Sequence, residues 1–239
     1  MYISSTNSTN SLVKELLAKD EWPQSERYIY AGYQTAGRGQ TGNGWESAPN
    51  ENLLCSILLP PNKNLYFLNI AVSVAICRVI KSVLSQRSGL CSVLAIKWPN
   101  DIYYNDKKLA GILLENAIIG SEVKYVIAGI GLNVNQTEFV SDAPNPVSLK
   151  QITGKEYNID QWMKDLFEAI NSVLNEPEEL VWSEYKAHLY RREGYWPFED
   201  QKGRFEAHIE DVLPTGEIVL RDKNCQIHQY GFKQIKYIL

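Results

Sequence analysis

The chain has 239 residues, 44% of them hydrophobic and 22% charged, with a formal net charge of −4 and a pI near 5.5. This composition is typical of a protein with one large core, and the negative charge argues against a nucleic-acid partner, which needs a basic face. The first ten residues lack the basic and apolar regions of a secretion signal, and the apolar stretch from Leu68 to Ile80 is shorter than the roughly 20 residues that cross a bilayer. We therefore expect a cytoplasmic protein that has no nucleic-acid or membrane partner.

Helical and extended patterns alternate in the first part of the chain. The apolar spacing predicts two helices, one from Ser8 or Thr9 to Lys19 and one over Leu68–Leu84. The predicted strands are Arg27–Tyr33, Leu53–Leu59, Val93–Lys97, Lys108–Asn116 and Lys124–Asn133. Turn residues at 105–106 and 120–121 indicate antiparallel pairing of neighbouring strands. The sheet is therefore expected to be mixed or mostly antiparallel.

The second part begins with two predicted helices, Ile159–Leu174 and Glu178–Tyr190, which we expect to cover one face of the sheet. After Gly194 the pattern changes to short strands separated by turns, which predicts a small β-barrel. The predicted strands there are Phe205–Glu210, Glu217–Arg221, Gln226–Tyr230 and Gln234–Ile238. The fold class is thus α+β, a sheet flanked by helices, with one domain over residues 1–191 and a smaller one over residues 192–239.

Residues 37–45 read Gly-Arg-Gly-Gln-Thr-Gly-Asn-Gly-Trp and follow a predicted strand. Without Cβ atoms the backbone can approach a ligand closely and present N–H donors to an anion. Arg38 adds a fixed positive charge, and Trp45 adds a flat apolar surface. We expect this segment to be the active-site loop.

The same segment satisfies G-x-G-x-x-G, the pattern of dinucleotide-binding sites. Those sites need the glycines to open a helix, so that the pyrophosphate meets the helix N-terminus. Here Gly44, Pro49 and Asn50 interrupt the chain, and the strand Leu53–Leu59 follows. The loop therefore joins two strands, and the dinucleotide interpretation is disfavoured.

Four other segments carry polar residues or glycines where a core would not favour them: Ser8-Thr9-Asn10, Lys97 to Asp101, Lys108 to Leu113 and Ala128 to Asn135. The first is, taken alone, more often a helix cap than a ligand site, and the glycines of the last are also typical of a β-bulge. Asp101 offers a carboxylate that could hold Mg²⁺. Lys108 stands at the entry of an apolar strand and is expected to point into a site.

Five motifs occur in a fixed order: Ser-Thr-Asn, Gly-Arg-Gly with a following Gly and Trp, Lys-Trp-Pro-Asn-Asp, Lys-Leu-Ala-Gly-Ile-Leu and Gly-Ile-Gly-Leu-Asn. In this order they resemble the biotin protein ligases, over Asn7 to about Asn135. The resemblance implies an SH3-like domain at the C-terminal barrel. It also implies two reactions, in which biotin and MgATP form biotinyl-5′-adenylate and a lysine of a biotin carboxyl carrier domain then takes the biotinyl group.

The resemblance also implies a role for each matching residue, with Lys108 and Arg38 as the catalytic residues that grip the reacting anions. The implied biotin-binding residues are Ser8, Thr9, Asn10, Gln34, Gly37, Arg38, Gly39, Gln40, Lys108, Gly111 and Gly131. The implied ATP-binding residues are Gln40, Asn43, Trp45, Asn100, Asp101, Lys108 and Asn133, and Asp101 is the implied metal ligand. Gly111 and Gly131 are expected to flank the bicyclic ring of biotin.

Two features separate the chain from the family's common pattern. The family loop often has arginines where this chain has Gln40 and Asn43, so two charges are missing. Ser8 lies so near the first residue that we expect a ligase without the DNA-binding domain of some relatives. Homodimerisation through the sheet is common in the family, but the sequence leaves the oligomeric state open.

Two rival functions remain open at this stage. Lipoate ligases share the catalytic fold, although the glycine loop and Lys-Trp-Pro-Asn-Asp together favour biotin. A non-enzymatic module that senses biotin or a nucleotide would bind its ligand tightly without turnover. Ligand-dependent ATP–pyrophosphate exchange separates all three.

Overall fold

The structure, a computed structural model, describes residues 1–40, 42–61, 63–85, 93–119, 122–141 and 145–238. The helices are α1 (Thr9–Ala18), α2 (Leu65–Leu84), α3 (Leu149–Thr153), α4 (Ile159–Leu174) and α5 (Glu178–Ala187). The strands of the first sheet are β1 (Tyr2–Ile3), β2 (Tyr28–Ala31), β3 (Leu53–Leu59), β4 (Leu94–Lys97), β5 (Asp101–Tyr104), β6 (Lys107–Ile119) and β7 (Glu122–Leu132). Those of the second sheet are β8 (Trp196–Asp200), β9 (Gly203–Val212), β10 (Ile218–Asp222), β11 (Ile227–Tyr230) and β12 (Lys236–Tyr237).

The first sheet has the strand order β1-β2-β3-β7-β6-β5-β4. Its β1–β2 pair is parallel and the other pairs are antiparallel, which confirms the predicted mixed sheet. The predicted turn at 105–106 joins β5 to β6, and Asn105 has the positive φ of 51° that a tight turn uses. The predicted turn at 120–121 lies outside the described residues.

Helices pack on both faces of this sheet. Along β3 the side chains alternate, so that Leu53 and Ile57 join the large core beneath α2, α4 and α5, while Leu58 faces α1. The smaller cluster on the α1 face contains Val13 and Leu17. The large core continues into the second sheet, so the two sheets share one buried interior.

Helix α2 begins three residues before the predicted start at Leu68. The Asn64 side chain accepts hydrogen bonds from the backbone N–H groups of Tyr66 (2.8 Å) and Phe67 (3.3 Å) and thereby caps the helix. The expectation that this apolar stretch is too short to cross a bilayer is therefore wrong about length, because the 20-residue helix is long and apolar enough. However, 72% of its most apolar window is buried inside the protein, as expected of a core helix.

The second sheet is antiparallel throughout, with the order β11-β10-β9-β8-β12. Its β9–β10 turn lies against Trp98 and helix α2. Trp98 Nε1 donates a hydrogen bond to the carbonyl oxygen of Gly216 (3.0 Å), which has a φ of +102°. A Cβ atom at Gly216 would lie 2.8 Å from the ring of Tyr66, so only glycine fits this close approach.

The sequence patterns missed the short elements β1, β5, β8 and α3. Strand β5 begins two residues after Pro99 and has four residues, too few to establish a period. The final strand is also shorter than the predicted Gln234–Ile238, because only Lys236 and Tyr237 pair with β8. These short strands complete the sheets rather than change the fold class.

Candidate active site

A cavity lies on the α1 face of the first sheet, between the N-terminus of α1, the glycine loop and the adjacent ends of β5, β6 and β7. Fourteen residues singled out from the sequence line it: Ser8, Thr9, Asn10, Gln34, Arg38, Gly39, Gln40, Asn43, Trp45, Asn100, Asp101, Lys108, Gly111 and Gly131. The structure thus brings together segments that lie far apart in the sequence. Gly37 and Asn133 are the two predicted site residues that do not line this cavity.

The glycine loop folds back on itself as a hairpin. Gly39 donates its N–H to the carbonyl of Asn43 (2.9 Å), and Trp45 donates its N–H to the carbonyl of Gly37 (3.0 Å). A Cβ atom at Gly37 would lie 2.5 Å from the Trp45 carbonyl oxygen. Gly37 therefore permits the two ends of the loop to approach each other, and the hairpin delivers the Trp45 side chain to the cavity.

The indole of Trp45 lies across two glycines that are partners in the β6–β7 ladder, Gly111 and Gly131. A Cβ atom would lie 2.3 Å from indole Cε2 if added at Gly131 and 3.0 Å from Cζ3 if added at Gly111. The β-bulge alternative is wrong for these positions, because the β6–β7 register shifts between Ala117 and Ile118 instead. The glycines leave room for a flat ring.

The indole nitrogen of Trp45 is buried and finds no hydrogen-bond partner among the described residues. An unpaired buried N–H is costly, and it is usually satisfied by water or by a ligand. Trp45 therefore presents both an apolar face and an unused donor in this cavity.

Polar groups at the start of α1 form the other end of the cavity. Ser8 is buried at the N-cap position, but its side chain makes no capping hydrogen bond in the described structure. The alternative role as a helix cap therefore does not account for Ser8. Gln34 Oε1 accepts hydrogen bonds from the backbone N–H of Thr9 (2.7 Å) and from its hydroxyl (3.1 Å). These hydrogen bonds fix the positions of Thr9 and Gln34 at this end of the cavity.

Gly129 lines the same end of the cavity and Ser56 contacts side chains there, but neither was singled out as a ligand-binding residue. The Ser56 hydroxyl lies 2.7 Å from Thr9 Oγ1 and 2.5 Å from Asn10 Oδ1. A Cβ atom at Gly129 would lie 2.6 Å from Asn10 Oδ1, so Gly129 makes room for that side chain. The signal for Ser56 is a fully buried hydroxyl in an otherwise apolar strand.

Two cations approach the cavity from different elements. Lys108 Nζ lies 2.7 Å from Asp101 Oδ1 and 5.5 Å from the centroid of the Trp45 ring. The Arg38 guanidinium lies 2.9 Å from Glu115 Oε2. Both cations are partly exposed, with 28% of the Lys108 side chain and 43% of the Arg38 side chain accessible. They are therefore accessible to an anionic ligand that enters the cavity.

The two predicted nucleotide-side amides have different surroundings. Asn100 lines the cavity, and its Nδ2 donates to the carbonyl of Ile112 (2.5 Å). Asn133 is buried outside the cavity lining, and its Nδ2 donates to the carbonyls of Val147 (3.2 Å) and Lys108 (3.4 Å). Asn133 thus supports the backbone that carries Lys108, and its contact with ATP stays a prediction.

Asp101 can serve as one ligand of a metal ion that arrives with a nucleotide. Its carboxylate is 20% exposed, and one oxygen pairs with Lys108. Within the described ranges, no group of three or more His, Cys, Asp or Glu side chains could hold a metal ion. Mg²⁺ commonly uses one or two carboxylates together with waters and substrate phosphates, so a single carboxylate beside a phosphate site fits it.

Cys55 also lines the cavity, but burial raises the pKa of its thiol well above the usual value. Its thiol therefore stays protonated near neutral pH, and it is a poor nucleophile in this state. The cavity favours chemistry in which the ligands react with each other while the protein neutralises their charges.

A comparison of the sequence with models of known protein families shows which family it matches. The family model described as the biotin/lipoate A/B protein ligase family matches residues 2–133, which is more than half of the chain. The chain belongs to this family. The motifs that carried the resemblance all lie within or at the end of the matched range, and the predicted fold class is confirmed.

Relatives within the family are biotin ligases. The chain is 33% identical over 164 residues to the bifunctional ligase/repressor BirA of Bacillus subtilis, covering 65% of this chain and 47% of that protein. It is 30% identical over 165 residues to the biotin–[acetyl-CoA-carboxylase] ligase of Paracoccus denitrificans, covering 67% of each. The chain thus spans about half the length of the BirA proteins that it matches.

A solved structure agrees with the fold over the whole chain. The biotin protein ligase from Aquifex aeolicus, in complex with biotin and ATP, matches with a TM-score of 0.79 and 22% identity, covering 100% of this chain and 98% of that one. At this identity the likeness shows the fold, including the second sheet. The sequence relatives carry the assignment to the biotin ligases of the family.

Proposed function

We propose that this protein is an ATP-dependent ligase that activates biotin as biotinyl-5′-AMP and transfers the biotinyl group to a lysine of a biotin carboxyl carrier domain. The observation that carries the proposal is one cavity with neutral hydrogen-bonding groups at the start of α1, the Asp101–Lys108 pair at its other end, and Arg38 beside Asn10 through their shared partner Glu115. The neutral end suits the uncharged ring of biotin. The charged end suits a carboxylate meeting a triphosphate.

In the first reaction a biotin carboxylate oxygen attacks the α-phosphorus of ATP, and pyrophosphate leaves. Two anions meet and charge builds on the phosphate oxygens, so fixed positive charges lower the barrier. Lys108 stands beside both Trp45 and Asp101, where it can contact the carboxylate and the phosphate together. Arg38 supplies the second charge. Asn100, Asn43 and Gln40 would hydrogen-bond the nucleotide.

In the second reaction the lysine amine of the carrier attacks the acyl carbon, AMP leaves, and the amine loses a proton as the amide forms. The mixed anhydride hydrolyses easily, so the site must exclude water until the carrier arrives. The hairpin of the glycine loop, with Trp45 at its end, is suited to act as a lid over the intermediate. Mg²⁺ that arrives with ATP would be held by Asp101 and would neutralise phosphate charge.

The carrier domain is the proposed protein partner, and the cytoplasm is the proposed location. We further propose a catalytic domain over residues 1–191 and an SH3-like domain over residues 192–239. The groups named here act within one chain, so the proposal holds for a monomer or a homodimer.

Ligand-dependent ATP–pyrophosphate exchange tests the proposal against both rivals. The purified protein with MgATP should exchange labelled pyrophosphate when biotin is added and should not do so with lipoate. Exchange that depends on lipoate would identify a lipoate ligase. Tight biotin binding without exchange would identify a sensing module and overturn the proposed activity.

Gln40 stands where many relatives have arginine. We expect this difference to weaken the binding of the biotinyl-5′-AMP intermediate. A charged hydrogen bond is about twice as strong as a neutral one. Gln40→Arg should therefore lower the biotinylation of bystander lysines, measured by mass spectrometry after incubation with an unrelated protein. Gln24→Arg adds the same charge at an exposed position and serves as the control. Equal background labelling by Gln40→Arg and the parent would discard the idea.

A further inference from the structure

Glu115 is a partly buried carboxylate on the α1 face of β6. Alternation along the strand places it in one row with Gly111 and Leu113, which line the cavity. Its side chain is 19% exposed. Glu115 does not line the cavity, and the sequence motifs did not single it out.

Three side chains from two different elements converge on this carboxylate. Lys14 Nζ lies 2.6 Å from Oε1, while Asn10 Nδ2 (2.8 Å) and Arg38 (2.9 Å) both reach Oε2. Asn10 and Lys14 stand one turn apart on α1, whereas Arg38 belongs to the glycine loop. Glu115 therefore holds the Asn10 amide of α1 and the Arg38 guanidinium of the glycine loop beside each other through one shared oxygen.

The three side chains around Glu115 keep its carboxylate negatively charged. Burial disfavours the carboxylate, but the hydrogen bonds from Lys14 and Asn10 and the charges of Lys14 and Arg38 outweigh it and lower the pKa of Glu115. The carboxylate is thus ionised near neutral pH. The two cations exceed its single charge, so the cluster keeps a net positive charge for an anionic ligand.

The position of the Asn10 side chain does not depend on Glu115 alone. Its Oδ1 lies 2.5 Å from the Ser56 hydroxyl, and its Nδ2 also donates to the carbonyl of Leu113 (3.3 Å). Arg38 lies in a glycine-rich hairpin and is 43% exposed, and its ion pair with Glu115 ties it to the sheet. Loss of the carboxylate should therefore disturb Arg38 more than Asn10.

We propose that Glu115 is a positioning residue that holds the Arg38 guanidinium at the wall of the cavity, beside Asn10. The inference rests on the proposed ligase function, because it assigns Arg38 to the charge that develops during adenylate formation. Glu115 acts through Arg38 and touches neither substrate. The groups that Arg38 would contact are two anions, the biotin carboxylate and the α-phosphate of ATP.

A double-mutant cycle in the exchange assay tests this role. Glu115→Gln keeps the shape of the side chain and removes its charge, so kcat should fall by about 10-fold while the KM for biotin changes by less than about 2-fold, because Arg38 acts on charge in the transition state. In an Arg38→Ala background, Glu115→Gln should have almost no further effect, because a residue that acts through another is not additive with it. Lys14→Met removes the other ion pair of the same carboxylate and should keep kcat within about 2-fold of the parent.

The assay separates failure of the positioning role of Glu115 from failure of the proposed ligase function. If the parent shows no biotin-dependent exchange, the ligase function fails. If the parent exchanges but Glu115→Gln is additive with Arg38→Ala, raises kcat or leaves it unchanged, the positioning role is overturned. Thermal unfolding of each variant checks folding, and Glu115→Asp, which keeps the charge but shortens its reach, replaces Glu115→Gln in the cycle if the latter does not fold.

Discussion

Replacing Lys108 by alanine should lower the rate of biotin-dependent ATP–pyrophosphate exchange by about 100- to 1,000-fold, the range seen when one fixed group that stabilises developing charge is removed. Lys108 pairs with Asp101 at 2.7 Å and lies over the Trp45 ring, so it is the cation most directly placed between the reacting anions. Its loss also leaves the Asp101 carboxylate without its partner, next to the incoming phosphates. Both effects raise the activation barrier of adenylate formation.

The adjacent Lys107 offers a matched control because it is exposed at the start of the same strand. Lys107→Ala removes the same charge from the chain and should leave the exchange rate within about 2-fold of the parent, as expected of a surface change. The initial rate at which labelled pyrophosphate enters ATP measures both variants. If Lys108→Ala exchanged as fast as Lys107→Ala, the assignment of Lys108 to the reacting anions would be wrong.

Gly131→Ala is expected to impair the site through packing alone. Its new methyl group would lie 2.3 Å from indole Cε2 of Trp45, so either the ring or the strand must move. Misplacement on the order of 1 Å can cost about 100-fold in rate, and we expect kcat/KM for biotin to fall by about that factor. Steady-state exchange at varied biotin concentration measures the change.

Gly44→Ala is the comparison for this substitution. A Cβ atom at Gly44 would lie 3.7 Å from the carbonyl oxygen of Gly37, an ordinary contact distance, and would not displace the indole. Gly44→Ala should therefore lower kcat/KM for biotin far less than Gly131→Ala does. Equal kcat/KM values for the two variants would show that the close packing of Trp45 on Gly131 does not matter for biotin.

Much of the site could be predicted because its residues stand in local patterns that an ordinary core disfavours. Arg38 lies among glycines, Asp101 follows a proline, and Lys108 begins an apolar strand. Each pattern marks a position where the backbone or a charge serves something other than packing. The resemblance to one family assigned these positions to one ligand site, and all of its predicted residues but Gly37 and Asn133 line one cavity; their contacts with biotin or ATP stay predictions.

The remaining residues could not be found in this way because their roles depend on partners that are distant in the sequence. Ser56 is one hydroxyl in an apolar strand, and Glu115 is one carboxylate after such a run. Only the strand register and the position of α1 show that they meet Asn10. Asn133 illustrates the converse, since a motif typical of ligand binding contains a side chain that supports the backbone of Lys108.

We propose above that one cavity activates biotin with ATP and passes the biotinyl group to a carrier lysine. The most direct test of this proposal is to incubate the purified protein with biotin, MgATP and a biotin carboxyl carrier domain and to measure the intact mass of the carrier. We expect the addition of one biotinyl group that requires both biotin and MgATP and is lost when the acceptor lysine is replaced. An unmodified carrier, with a parent protein that is folded and binds biotin, would contradict it.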